Sequence, residues 1–239
     1  MVLPIYAIPD IHGQHALLEG ALDLVERDGG AEARIVILGD LVDRGANSRA
    51  VIERLMAAQA EGRDWTVLRG NHDQMFVDFL DHGGIGSARM RAGLTWLNER
   101  LGGVETLASY GITASEARHD PALARATVPD AHREWLAGLP LWHISDDLLF
   151  VHAGIRPGVP IAAQEPEDLM WIRDGFLDHA DPHPWLVVHG HTALETAQHF
   201  GNRIDLDGGA GYGRALWPAV FEGTACWLLT DKGRVPLRP

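Results

Sequence analysis

Two of the side chains on which covalent catalysis most often rests are almost missing from this chain. Among 239 residues there is one cysteine, Cys226, and one lysine, Lys232, so that 19 of the 20 basic residues are arginine. A phosphate-binding loop of the Gly-Lys-Ser/Thr kind needs its lysine just before a helix, but Lys232 follows Asp231 and precedes Gly233. Schiff-base chemistry would have to rest on that same residue near the tail. A cysteine phosphatase loop wants His before the nucleophile and Arg six residues after it; Cys226 has Ala225 and Lys232 there. A lone thiol forms no intrachain disulfide, so nothing in cysteine usage points to secretion. Long apolar runs are missing too: no charge-free stretch approaches the ~18 residues of a membrane span. The opening MVLPIYAIPD carries no basic region before Asp10. The expectation is a soluble, cytoplasmic protein with no membrane partner.

Positive charge is also scarce. With 33 acidic against 20 basic residues the formal charge is −13, which disfavours nucleic acid as a partner, because affinity there comes from neutralising phosphates. The 46% hydrophobic content suffices for a sizeable core. Apolar runs of strand length alternate with helical patterns, which predicts an α/β layered fold. Strands are expected at 2–8, 34–38, 65–68, 148–151, 185–188, 197–204 and 224–229. Helices are expected at 14–27 and 48–60, with another opening near His72. Residues 83–147, rich in Ala, Arg, Glu and Leu, read as a helical insertion. Without repeats or linkers, residues 1–239 are expected to form one domain.

Polar clusters stand where predicted strands end: Asp10-Ile11-His12-Gly13, Gly39-Asp40-Leu41-Val42-Asp43-Arg44-Gly45, Gly70-Asn71-His72-Asp73, His152-Ala153-Gly154 and His189-Gly190-His191-Thr192. Ligands of open α/β sheets gather beyond the strand C-termini. Oxygen and nitrogen donors without sulfur suit Mn²⁺, Fe or Zn²⁺ better than a thiolate site. Asp-x-His alone is most simply a turn or cap, Gly-Asn-His alone a turn, and His-Ala-Gly alone carries no signal. The pair of carboxylates and the arginine within Gly39–Gly45 are more specific, and all five clusters in this order are more specific still.

These motifs resemble the phosphoprotein phosphatase branch of the calcineurin-like metallophosphoesterases, and its compact bacterial serine/threonine phosphatases in particular. The family patterns are GDxHG, GDxVDRG, GNH(D/E), H(A/G)G and GH. The likeness runs over residues 5–213 and takes in Trp171-Ile172-Arg173 and Asp207-Gly208-Gly209-Ala210. Pro9 stands in place of the usual leading glycine and Gly208 in place of a threonine; neither is a ligand. The resemblance implies a four-layer αββα sandwich and two divalent metal ions, with Mn²⁺ preferred over Fe or Zn²⁺. Asp10, His12 and Asp40 would hold one metal; Asp40, Asn71, His152 and His191 the other, with Asp40 between them. A metal-activated water would attack phosphorus in line. His72 would be the general acid and Asp43 would orient it. Arg44, Arg173 and Asn71 would bind phosphate oxygens.

The implied activity is a phosphomonoesterase acting on a phosphorylated protein (serine, threonine or tyrosine) or a small phosphoester. The alternative on the same site is a dinucleoside polyphosphate hydrolase of the diadenosine-tetraphosphatase type. Members of that kind usually carry Gln where His12 stands, which ranks this reading second. His189 is expected to be buried or to support the site. The eight histidines outside the motifs are expected at the surface. The tryptophans other than Trp171 are expected in packing.

Overall fold

The computed structural model describes residues 3–239; the expected start of the first strand at Val2 lies outside the described residues. That strand, β1 (Ile5–Ile8), begins directly after Pro4, which has no N–H to give a ladder. It sits mid-sheet. β2 (Arg34–Ile37) and β3 (Trp65–Val67) continue parallel on one side, while β9 (Ala219–Glu222), β10 (Ala225–Thr230) and β11 (Gly233–Leu237) continue antiparallel on the other. A second mixed sheet runs β4 (Trp142–Ser145), β5 (Leu148–Val151), β6 (Leu186–His189), β8 (Arg203–Asp205), β7 (Gln198–His199), with β5, β6 and β8 parallel.

The period-two alternation of each strand shows which layer it faces. Tyr6, Ile8, Ile35 and Ile37 join a core under the helices. Ile5, Ala7, Val36 and Leu38 face the other way, against Phe150, Val188 and Ile204 of the second sheet. Phe150 and Phe221 close this middle layer edge to face, 5.8 Å between ring centroids. The outer face of the second sheet, Leu149, Val151 and Val187, is covered by Leu169, Ile172 and Phe176. Helix, sheet, sheet and a thinner helical layer give the αββα sandwich. Strands buried on both faces read as unbroken apolar runs, so β1, β2 and β5 are evident from sequence.

The helices α1 (His15–Gly29), α2 (Ser48–Ala60) and α3 (Asn71–His82) lie where expected. The expected insertion at 83–147 is only partly helical. Residues 84–102 form turns and irregular backbone, where Gly84, Gly86, Gly93 and Gly102 each weaken a helix. The helices follow as α4 (Gly103–Ser109), α5 (Pro121–Thr127) and α6 (Asp130–Gly138), and the range ends in β4. The single strand expected at 197–204 is a hairpin, β7 and β8. The sequence reading missed α7 (Pro166–Trp171), β9 and β11. His132 is buried, not superficial, and its Nδ1 lies 2.9 Å from the Tyr110 hydroxyl. Among the described residues no helix is long and apolar enough to cross a membrane.

Candidate active site

All six parallel strands deliver acids, amides or imidazoles to one edge of the sandwich: Asp10 and His12 after β1, Asp40, Asp43 and Arg44 after β2, Asn71 and His72 after β3, His152 after β5, His191 after β6, and Asp207 after β8. The two sheets are joined here by direct contacts. Asp10 accepts the His191 N–H at 3.1 Å on each oxygen, and His152 Nδ1 lies 2.9 Å from the Leu38 carbonyl. Two close approaches require glycine. A Cβ on Gly190 would fall 2.0 Å from Asp10 Oδ1, and one on Gly70 2.1 Å from Asp40 Oδ1.

The backbone bends unusually to do this. Among the described residues six non-glycines have left-handed φ; five of them, His12, Asp40, Asp43, Arg44 and His191, belong to the site. The turns are held by the Gly45 N–H to the His12 carbonyl at 2.9 Å and by Asp73. Asp73 is fully buried and accepts the Leu41 N–H at 2.9 Å and the Gly70 N–H at 2.8 Å, tying the second strand end to the third.

One donor atom from each of His12, Asp40 and His72 lies within 4.8 Å of the others, and the same holds for Asp40, His152 and His191. Asp40 belongs to both groups: Oδ1 is 3.4 Å from His152 Nε2 and Oδ2 is 3.6 Å from His12 Nε2. His12 and His152 point Nδ1 at the Val42 and Leu38 carbonyls, which fixes the Nδ1–H tautomer and leaves Nε2 with its lone pair. The Nε2 of His191 is buried without a hydrogen-bond partner. A guanidinium nitrogen of Arg44 rests 2.5 Å from His12 Nε2, so a cationic group already lies on that lone pair. Burial pushes these imidazoles well below their ordinary range, His152 to about 3, and pushes Asp10 and Asp40 well above theirs, with neighbouring carboxylates adding to the rise. Neutral imidazoles and a crowd of buried carboxylates are the donor set a divalent cation requires.

Without an ion, two donors sit apart from the expected division. Asp10 falls outside both groups, and its carboxylate is engaged by the His191 amide; His72, expected only as an acid, falls inside the first. Asn71 is adjacent to the second, its Oδ1 3.0 Å from His152 Nε2. Loading with Mn²⁺ is expected to raise the melting temperature. At 100 times Kd a bound ion adds about 2.7 kcal/mol, which corresponds to roughly 5–10 °C for a chain of this size. An unchanged melting curve would remove the metal site.

His72 Nδ1 lies 2.6 Å from Asp43 Oδ2, leaving Nε2 toward the cleft. Asp43 is completely buried and held from three sides. The Trp96 indole N–H donates to Oδ2 at 2.8 Å, the Thr106 hydroxyl donates to Oδ1 at 2.6 Å, and Thr106 in turn accepts the Asp43 N–H at 2.8 Å. Burial pushes Asp43 up to about 7 against these hydrogen bonds. Trp96 and Thr106 were missed from the sequence, where Trp96 reads as packing alone. They lie 53 and 63 residues from Asp43 in the irregular segment and in α4, with no local motif to mark them. Arg44 stacks over the exposed Tyr212 ring at 4.7 Å, with Nη2 3.3 Å from His72 Nε2. Arg173 donates to the His191 carbonyl at 3.3 Å. His189 is buried, with Nδ1 3.0 Å from the Gly190 carbonyl, and joins neither donor group.

A family model for calcineurin-like phosphoesterases matches residues 3–213. The chain belongs to the calcineurin-like phosphoesterase family. Several curated relatives of this calcineurin-like phosphoesterase carry the name bis(5'-nucleosyl)-tetraphosphatase, symmetrical. The one from Bordetella pertussis is 29% identical over 153 residues, covering 63% of this chain and 43% of the relative. The one from Acidovorax sp. is 29% identical over 228 residues, covering 93% of this chain and 61% of the relative. The calcineurin-like phosphoesterase described here thus spans about half the length of the curated relatives it matches. A crystal structure of a protein provisionally assigned as a diadenosine tetraphosphatase superposes with a TM-score of 0.67 at 22% identity, covering 100% of this chain and 95% of that one. A cold-active protein-tyrosine phosphatase of a psychrophilic Shewanella gives 0.65 at 20% identity, covering 100% and 81%. At such identities these two likenesses bear on the fold alone.

Proposed function

We propose that this chain is a metal-dependent hydrolase of dinucleoside polyphosphates that splits diadenosine tetraphosphate into two ADP. The observation that carries the reading is the name shared by the curated relatives that match this chain, one of them over 93% of it. This reverses the order reached from sequence, where the protein phosphatase came first. That reading stays second on account of His12. A cytoplasmic location and a single domain remain part of the proposal.

His12, Asp40, His152 and His191, with Asn71 and Asp10 beside them, would hold two divalent ions, Mn²⁺ foremost. Bound there, such ions supply a nucleophile at neutral pH and neutralise charge on the phosphoryl oxygens. The chain's own residues do the rest. Arg44 and Arg173 grip non-bridging oxygens, where a planar fork gives two parallel bonds. The Asn71 amide adds a donor. His72 acts as the acid in its doubly protonated form: with Nδ1–H held by Asp43 it would pass the Nε2 proton to the departing oxygen and be left neutral, the form that burial and the neighbouring Arg44 favour. Trp96 and Thr106 fix the Asp43 carboxylate.

The test is a side-by-side assay of the Mn²⁺-loaded protein on diadenosine tetraphosphate and on a phosphoserine peptide. ADP is expected as the nucleotide product, with kcat/KM at least ~10²-fold above that for the peptide, a conservative bound beneath the ~10⁴-fold that specific polar recognition can reach. Faster turnover of the peptide would restore the protein phosphatase reading.

A further inference from the structure

The metal cluster does not close the site. A cleft of about 180 Å³ runs from Asp40, Asn71, His72 and His191 past Arg44 and Arg173 to a wall built by the irregular segment. That wall consists of Arg89, Met90, Arg91, Leu94 and Leu101, with Trp171 of α7 beside them.

The segment is strapped in place by a buried carboxylate. Arg89 donates to Asp168 Oδ1 at 2.9 Å and to Glu167 Oε2 at 3.1 Å. Asp168 is 1% exposed, and its other oxygen accepts from Arg156 at 2.6 and 3.0 Å. One buried anion therefore pins the segment to α7, which leads directly into Arg173. Arg89 is occupied by this strap. Arg91, two residues on, lines the same cleft, and among the described residues no carboxylate pairs with it and no hydrogen bond holds its side chain. Arg91 thus joins Arg44 and Arg173 around one cleft. Among the described residues the only carboxylate lining that cleft, Asp40, belongs to both metal-ligand groups. Like charges gathered in a concave site repel one another unless an anion lies between them.

We propose that Arg91 forms a second phosphate subsite, taking the phosphate adjacent to the one under attack, with Met90, Leu94 and Trp171 against the attached nucleoside. This rests on the polyphosphate reading above. A single phosphoryl group is already met by Arg44, Arg173 and Asn71. A third guanidinium farther along the cleft, unpaired and carried on a pinned segment, has no task toward a monoester. It suits a chain of phosphates.

AMP and ADP differ by one phosphate on the same nucleoside, so their relative affinity isolates this contact. Calorimetric titration of the Mn²⁺-loaded protein is expected to show ADP binding about tenfold tighter than AMP, the contribution of one charge-assisted pair. Arg91→Ala should bring the ratio near one, and Arg91→Lys should restore part of it. Equal affinities in the unsubstituted protein, or a ratio untouched by Arg91→Ala, would mean a solvated surface arginine only and would overturn the proposal. If the ratio behaves as expected while diadenosine tetraphosphate is not split, the subsite stands and the functional reading falls. If the dinucleotide is split and the ratio ignores Arg91, the subsite falls and the function stands.

Discussion

Asp40→Asn is expected to lower kcat/KM on p-nitrophenyl phosphate by at least ~10³-fold, about 4 kcal/mol in transition-state stabilisation. The substitution keeps the shape of the side chain. Its oxygen can still accept the His72 N–H that Asp40 Oδ1 now takes at 2.9 Å. What disappears is a second anionic oxygen, and with it the only carboxylate among the described residues that reaches both His12 and His152. An amide offers one neutral donor to one cation, so elemental analysis should show metal content per chain falling together with activity. The metal-free protein should move the other way. Burial holds the Asp40 carboxyl well above its usual range, with Asp73 adding to the rise, so removing that charge relieves the fold. A variant that melts higher without metal, binds less metal and turns over nothing is the expected outcome. Activity above about a hundredth of the original, on the same rate scale, would sink the shared-carboxylate mechanism.

His72→Asn is expected to divide substrates by their leaving groups. Positioned proton donation contributes about 10²–10⁴-fold when the departing oxygen is basic. Phenyl phosphate and a phosphoserine peptide should therefore lose activity on that scale. p-Nitrophenyl phosphate and diadenosine tetraphosphate expel oxyanions already stable near neutrality and should lose roughly tenfold or less, since little Brønsted advantage is at stake. Because His72 Nε2 also lies 4.0 Å from Asp40 Oδ2, within the first donor group, metal content has to be measured alongside. An equal loss on all four substrates with full metal occupancy would show that His72 does not serve as the acid. Asp43→Asn should follow the same pattern more weakly, because its carboxylate acts only by holding the ring at 2.6 Å.

Parallel strands buried on both sides announce themselves as apolar runs, and the residues that follow them are the site. The placement of Asp10, Asp40, Asn71, His152 and His191 at strand ends was legible from these runs, and so was an α/β layered fold; the four-layer order and the part each residue would play came only from the family resemblance. What stayed hidden has two physical causes. β11 (Gly233–Leu237) is an exposed edge strand and carries little apolar signal, while β9 (Ala219–Glu222) is buried but only four residues long, directly after Pro218. Residues 84–102 have helix-forming composition but are punctuated by glycine, so composition and local geometry disagree. Trp96 and Arg89 act through partners far along the chain, at Asp43 and Asp168, and pairing over that distance leaves no trace in spacing. Asp73 stands in a sequence motif, but its work as a clasp between two strand ends is visible only in three dimensions.

The five left-handed residues at the strand ends bear on how this chain can change over generations. Each holds a conformation that costs about 1–3 kcal/mol for an ordinary side chain, and at those five positions glycine would adopt it freely. Random substitution toward glycine at His12, Arg44 or His191 would thus relieve the backbone while erasing the chemistry. Selection for thermal stability alone would drift toward an inert sandwich. The site persists only because catalysis is selected against that gradient, and laboratory stabilisation of this chain should leave residues 10–13, 39–45 and 190–192 untouched.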